Sequence, residues 1–200
     1  MKNHIRFFLI GIFALFAFTA SAQSNTNYGI WQSATYADKS VSTQMNGRLE
    51  NFFWKDLEIA PNVWNWKGFD STLTEHTKDQ LPFAFMIYTK DNAPDWLFTN
   101  GVPKVDERDA FGSIISYAPY YADDDYKFYF KRMITTVRQH VETLPSAIRS
   151  KMVAVQGCYG STGDYISYKG TVASQYVLSG AQFLDLFKEF TSYYYDEYKN

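Results

Sequence analysis

The chain has 200 residues and a mass of 23.2 kDa, the length of one ordinary domain. Hydrophobic residues make up 46% and charged residues 20%, which is enough apolar material for a real core and excludes a disordered tail. A formal charge of −2 excludes the basic footprint of a nucleic-acid binder, and one cysteine with three histidines excludes a disulfide scaffold or a Cys/His zinc cluster.

Lys2, His4 and Arg6 precede an apolar run from Phe7 to Phe18, and Ala20-Ser21-Ala22 supplies small residues before Gln23. This predicts a signal peptide over residues 1–22, cleaved after Ala22, and therefore a secreted or periplasmic protein whose domain is 23–200. The run is shorter than the ~20 residues a bilayer span needs, so no membrane association is expected after cleavage. Cys158, a lone thiol in an exported chain, reads as a small buried hydrophobe.

Past the polar stretch 23–27, a first short strand is expected within 28–36. Arg48 to Trp54 reads as the next strand, with Arg48 and Glu50 as a charge couple inside the fold. Phe69 to Lys78 reads as a short helix with Asp70 or Ser71 at its N-cap. Leu81 to Tyr88 is apolar on both faces, as a strand of a parallel sheet would be. Asp91 to Tyr121, punctuated by Pro94, Gly101, Pro103, Gly112 and Pro119, reads as a long loop of the kind that forms binding surfaces.

Asp123-Asp124-Asp125 then caps a strong helix. Tyr126, Phe130, Met133, Val137, Val141 and Leu144 draw one apolar stripe along it, and Pro145 stops it. The acidic triplet lacks the alternating ligands and glycine of an EF-hand, so capping is preferred to calcium binding. Met152 to Gln156 is a short buried strand running into a glycine-rich turn, Gly157 to Asp164. A last helix starts near Gly180, with Phe183, Phe187, Phe190 and Tyr194 on one face. Strands alternating with helices give an α/β class with a mainly parallel sheet. Four strands at intervals of roughly forty residues amount to half of a (β/α)8 TIM barrel.

In such sheets ligands collect at the carboxyl ends of the strands. Three ends are legible: Trp54, then Tyr88 with Lys90 and Asp91, then Tyr159 with Asp164. Trp96 lies just downstream of the second. Aromatic faces beside carboxylates suit sugars, whose C–H faces pack on rings while their hydroxyls need polar partners. Gly157, Gly160 and Gly163 fit neither a P-loop nor a dinucleotide fingerprint, and Gly-x-Ser-x-Gly is absent, so no cofactor and no metal are expected. The turn either presents Asp164 to a ligand or uses it as a local cap. Trp64 and Trp66 read as packing beneath loops, and His76 and His140 as surface or packing residues.

Trp54-Lys55-Asp56-Leu57-Glu58, followed by Trp64-Asn65-Trp66 and Phe69-Asp70, resembles a stretch of clan-A glycoside hydrolases of the β-galactosidase-like kind. Pro94-Asp95-Trp96-Leu97 is similar to the Pro-x-Trp-Leu of the same enzymes, and Gly163-Asp164 to their strand-four acid. Ile59 stands where proline is usual, Asn62 where glycine is usual, and Asp164 where glutamate is more frequent. The resemblance implies the N-terminal half of a barrel that hydrolyses glycosidic bonds of poly- or oligosaccharides. Asp164 would be the general acid/base, Trp54, Trp96 and Tyr159 would stack sugar rings, and Lys90 and Asp91 would bond hydroxyls. Retaining hydrolysis needs a second carboxyl ~5–5.5 Å away. The family supplies it from strand seven, so this stretch alone is expected to be inactive. The alternatives are a non-catalytic glycan-binding module on a degenerate barrel, and a structural α/β domain whose aromatics only pack.

Overall fold

A computed structural model describes residues 31–33, 45–78, 80–157 and 167–199. The leader, Cys158, Tyr159 and Asp164 therefore lie outside the described residues. Strands β1 (Trp31–Ser33), β2 (Gly47–Phe53), β5 (Phe83–Tyr88) and β8 (Met152–Gln156) form one sheet in that order, every neighbouring pair parallel. These are the four strands expected from the sequence, and the class is α/β, but β8, expected to be buried, buries none of its residues and leaves Val153 exposed at the end of the order. Closure into a barrel is not seen among the described residues.

The helices lie where the apolar periodicity puts them. Helix α2 (Lys67–Lys78) buries Phe69, Leu73 and His76. It begins two residues earlier than expected, so Asp70 sits inside it, and its carboxylate meets the His140 ring at 2.6 Å rather than capping the helix. In α4 (Asp124–Thr143) all six stripe residues from Tyr126 to Leu144 are buried, Leu144 as the C-cap, and the Asp123 side chain accepts the Tyr126 N–H at 3.0 Å. Helix α6 (Gly180–Tyr198) opens with a capping box between Ser179 and Gln182. It packs on α4 through Phe190 against Phe130, ring centres 4.6 Å apart.

Alternation along the strands assigns one face of the sheet to the helices. Phe52 and Phe85 pack on Phe69 of α2, and Glu50 meets His76 of the same helix. The carboxylate of Glu50 is thus taken up by His76 rather than left to Arg48 alone. The opposite face carries Asn51, Phe53 and Tyr88, which are not buried, and Met86, which is.

The expected loop at 91–121 is corrected. It holds a 3-10 turn (Lys90–Asn92), the one-turn helix α3 (Trp96–Thr99) and an antiparallel hairpin of β6 (Lys104–Arg108) and β7 (Ile114–Pro119). A second unexpected feature is a small ribbon of β3 (Glu58–Ala60) and β4 (Val63–Trp64), joined to β2 by the single turn α1 (Trp54–Leu57). Its tight connection places Asn62 at φ 61°, a left-handed conformation that asparagine tolerates. One further single-turn helix, α5 (Ser146–Arg149), links α4 to β8.

Candidate active site at the carboxyl edge of the sheet

The parallel register sets Phe53, the last residue of β2, beside Tyr88, the last of β5. Their rings stack with centres 5.7 Å apart and planes 28° from parallel. Phe53 remains 38% exposed, although a phenylalanine of this size normally buries most of its area. A hollow of about 250 Å³ is lined by Phe53 itself with Asn51, Asp56 and Asn65, together with Gly68, Phe69 and Thr72 of α2, while Tyr88 is not part of its lining. A partly exposed Phe53 ring, backed by the half-buried Tyr88 and beside amide and carboxylate groups, is an arrangement that can hold the apolar face of a sugar and orient its hydroxyls.

Trp54 corrects the expectation that it offers a stacking surface. It is 0% exposed, edge-on to Trp96 and packed on Tyr126 and Phe130. Its indole N–H donates to Glu58 Oε2 at 2.9 Å. The Glu58 carboxylate is wholly buried, and its other oxygen accepts the Asn62 N–H at 2.8 Å and pairs with Arg132 of α4. Trp96 is half-buried, donates its indole N–H to the Glu58 carbonyl at 3.0 Å and lies under the Arg132 guanidinium. Trp54 and Trp96 thus share one structural node that fastens the β3–β4 ribbon to α4.

Lys90 also departs from its expected role. It is buried, and its ammonium lies 2.7 Å from Glu107 Oε2 of the hairpin, so it is not presented to a ligand's hydroxyls. The other Glu107 oxygen accepts the Lys169 N–H at 2.6 Å. Lys90 holds φ at 50°, a strained backbone for a side chain of this kind, which the buried pair and the turn keep in place. Tyr168 seals this corner, its ring stacked on Tyr121 and its hydroxyl accepting the Tyr121 N–H at 3.4 Å. Burial pushes the Tyr168 phenol above its ordinary value, against the Tyr121 N–H bond, which works the other way.

Asp91 is half-buried at the same strand end and accepts from the Asn92 amide at 3.1 Å. The Tyr117 phenol is raised by burial first, then by the negative charges of Asp95 and Asp91. Of the expected site residues, the carboxyl edge therefore keeps Tyr88 and Asp91 accessible and draws Trp54 and Lys90 into the frame. Tyr159 and Asp164 fall outside the described residues. Phe53 was missed by sequence reasoning, yet strict alternation along Arg48–Trp54 would have placed it opposite the helix-facing Phe52.

Trp64, Trp66 and His140 form a ladder of near-parallel rings, 5.0 and 3.9 Å apart, which is the packing role expected of the two tryptophans and, of the surface or packing roles expected of His140, the second. Among the described residues no group of three His, Cys, Asp or Glu side chains could hold a metal, and no helix is long and apolar enough to cross a membrane.

The fold and this edge define an α/β protein whose parallel sheet carries an open aromatic and polar rim. No protein-family model matches the chain, and no curated protein matches it. Among solved structures, a β-galactosidase from the psychrophilic Marinomonas ef1 aligns with 70% of this chain at 19% identity and a TM-score of 0.46. The chain covers 23% of that enzyme's length. At this level of similarity the match bears on neither substrate nor mechanism.

Proposed function

We propose that this chain supplies the carbohydrate-binding rim of an exported glycoside hydrolase acting on poly- or oligosaccharides, built on part of a (β/α)8 barrel. The observation that carries the reading is the exposed Phe53 ring stacked on Tyr88 at the carboxyl ends of adjacent parallel strands, beside Asn51, Asp56 and Asn65. A sugar ring lies on the aromatic pair in this reading, and Asp91 takes its hydroxyls. Asp164 protonates the departing glycosidic oxygen, a role that rests on the sequence resemblance alone.

A second reading, glycan binding without hydrolysis, is favoured by a specific feature. The buried carboxylates near the sheet each have a structural partner: Glu50 with His76, Glu58 with Trp54 and Arg132, Glu107 with Lys90. A catalytic acid needs a carboxyl free to exchange a proton with substrate.

Calorimetric titration of the chain with a panel of neutral oligosaccharides tests both. Binding that is lost in Phe53→Ala supports the rim. Hydrolysis by a longer form of the protein that also carries the second carboxyl, lost in Asp164→Asn while binding survives, supports the enzyme, and binding with no turnover even in that longer form supports the module. Absence of binding across the panel sinks both readings.

A further inference from the structure

The hollow at Phe53 carries side-chain charge of one sign. Glu50 and Asp56 both line it, and none of its lining residues is a lysine, an arginine or a histidine. Lys55 and Lys67 are exposed nearby in sequence but are not part of the lining. The two carboxylates differ in state. Glu50 is buried and taken up by the buried His76. Asp56 is exposed and has neither hydrogen bond nor ion pair from its side chain among the described residues. The first turn of α2 also reaches the hollow, through Gly68 and Phe69, but Asp70 in that same turn offsets the partial positive charge of the helix start.

Asp56 is held in place by its neighbours. It belongs to the single turn α1, whose Trp54 and Leu57 are both buried. The Trp54 indole is bonded to Glu58, and the Leu57 carbonyl accepts the Asn65 N–H at 2.7 Å. Across the hollow, Asn65 Oδ1 accepts the Lys67 N–H at 3.3 Å, which commits the amide's oxygen to the start of α2 and directs its donor group elsewhere. Three features therefore meet a ligand: an acceptor-only carboxylate, an amide donor and the partly exposed Phe53 ring. A ring face carries a negative quadrupole, so it attracts a cation as the carboxylate does. A hydroxyl gains from Asp56 alone, an ammonium gains from Asp56 and Phe53 together, and an anionic group is repelled by both. A dry cavity of about 150 Å³ accommodates benzene, so the hollow of about 250 Å³ has room for one sugar ring.

We infer that this hollow selects a sugar ring bearing a protonated amino group, with Asp56 as the residue that sets the preference. The Asp56 carboxylate takes the ammonium, Phe53 lies against the ring, and the Asn65 amide donates to a hydroxyl. The inference rests on the carbohydrate reading of this edge and adds to it the charge of the ligand.

Calorimetric titration of the full chain with three sets of short oligomers tests it: glucosamine, glucose, which has a hydroxyl where the amine stands, and mannuronic acid. The glucosamine oligomers are expected to bind about fivefold more tightly than the glucose oligomers, and the mannuronic acid oligomers most weakly. The ratio of the first two affinities should narrow in high salt. In Asp56→Asn, which keeps the shape of an exposed side chain and removes its charge, that ratio should fall to about one. Equal affinity of the wild type for the amino and neutral oligomers overturns the inference and leaves the sugar-binding rim standing. A ratio that persists in Asp56→Asn overturns the assignment to Asp56. Binding of none of the three sets overturns the rim itself, and this inference with it.

Discussion

Phe52 and Phe53 are neighbours in sequence with opposite environments at the carboxyl edge, and they point to opposite faces of the sheet. Phe52 lies on the helix side, its ring 4.4 Å from Phe69 and 6.0 Å from Phe85. Phe53 points the other way, touches Tyr88 and stays partly in water. Period-two alternation sends one side chain to each face, and α2 covers only one of them. Hydrophobicity alone therefore does not decide burial at this edge; the presence of a covering helix does. The same rule separates the wholly buried Trp54, roofed by α4, from the accessible pair one residue earlier.

The sharpest way to break this contrast is truncation on each side of it. Phe52→Ala should destabilise the protein by about 3–5 kcal/mol, as removal of a core ring does. Phe53→Ala should cost less than about 1 kcal/mol. Urea unfolding with a common m-value reads both. Equal losses would show that the second face is also covered, which would remove the rim on which sugar binding depends. In the titration described above, Phe53→Ala should lower affinity by about tenfold, the size expected of one lost ring contact.

A second comparison sets the two buried carboxylate nodes against each other. Glu58 joins ribbon to helix and Glu107 joins hairpin to strand end, each with one cationic partner. Glu107→Gln leaves the Lys90 ammonium buried without its counter-charge, and about 3 kcal/mol of stability should be lost. The double variant Lys90→Met/Glu107→Leu removes both charges and should recover much of that loss. Amide hydrogen exchange at Lys169, whose N–H Glu107 accepts, should quicken in both. A double variant no more stable than the single one would mean that the pair does more than neutralise itself.

These nodes also mark where the sequence stops being legible. The stripe on α4, the acidic cap at Asp123 and the all-apolar strand β5 are local patterns, written within a few turns or residues, and the structure has each of them. The hairpin is different. Lys104-Val105-Asp106-Glu107-Arg108 carries four charges in five residues, which is no obvious strand. It becomes one because Lys90 neutralises Glu107 inside the fold, a partnership across 17 positions of sequence that no local pattern announces. Trp54 was misjudged for a similar reason. As the end of a strand it would face a ligand, but α1 turns the chain immediately and hands the indole to Glu58 and α4. What was legible is that Tyr88 and Asp91 stand, half-buried, at the carboxyl end of a parallel strand. What was not legible is which aromatic remains exposed.

The smallest expected effect lies at the α4–α6 surface, where a charged contact has water beside it, in contrast with the buried Lys90–Glu107 pair. Lys131 Nζ reaches Glu189 Oε1 at 2.6 Å and Lys127 lies 3.5 Å from the other oxygen. Partial burial alone would raise the Glu189 carboxyl, but the Lys131 hydrogen bond and the two positive charges outweigh it and hold the group below its ordinary value. A carboxyl lowered in the folded state adds stability above its unfolded value, and that contribution fades as pH falls through the folded value. Both partners are about a third exposed, so water and salt screen the gain to the modest level of surface pairs. Lys131→Met should therefore unfold at slightly lower urea than the wild type at neutral pH. The gap should close in acid, once Glu189 is protonated, and should narrow in high salt. A gap that persists unchanged at acid pH would place the contribution of Lys131 in its stem packing and its contact with the Tyr193 ring rather than in the ion pair.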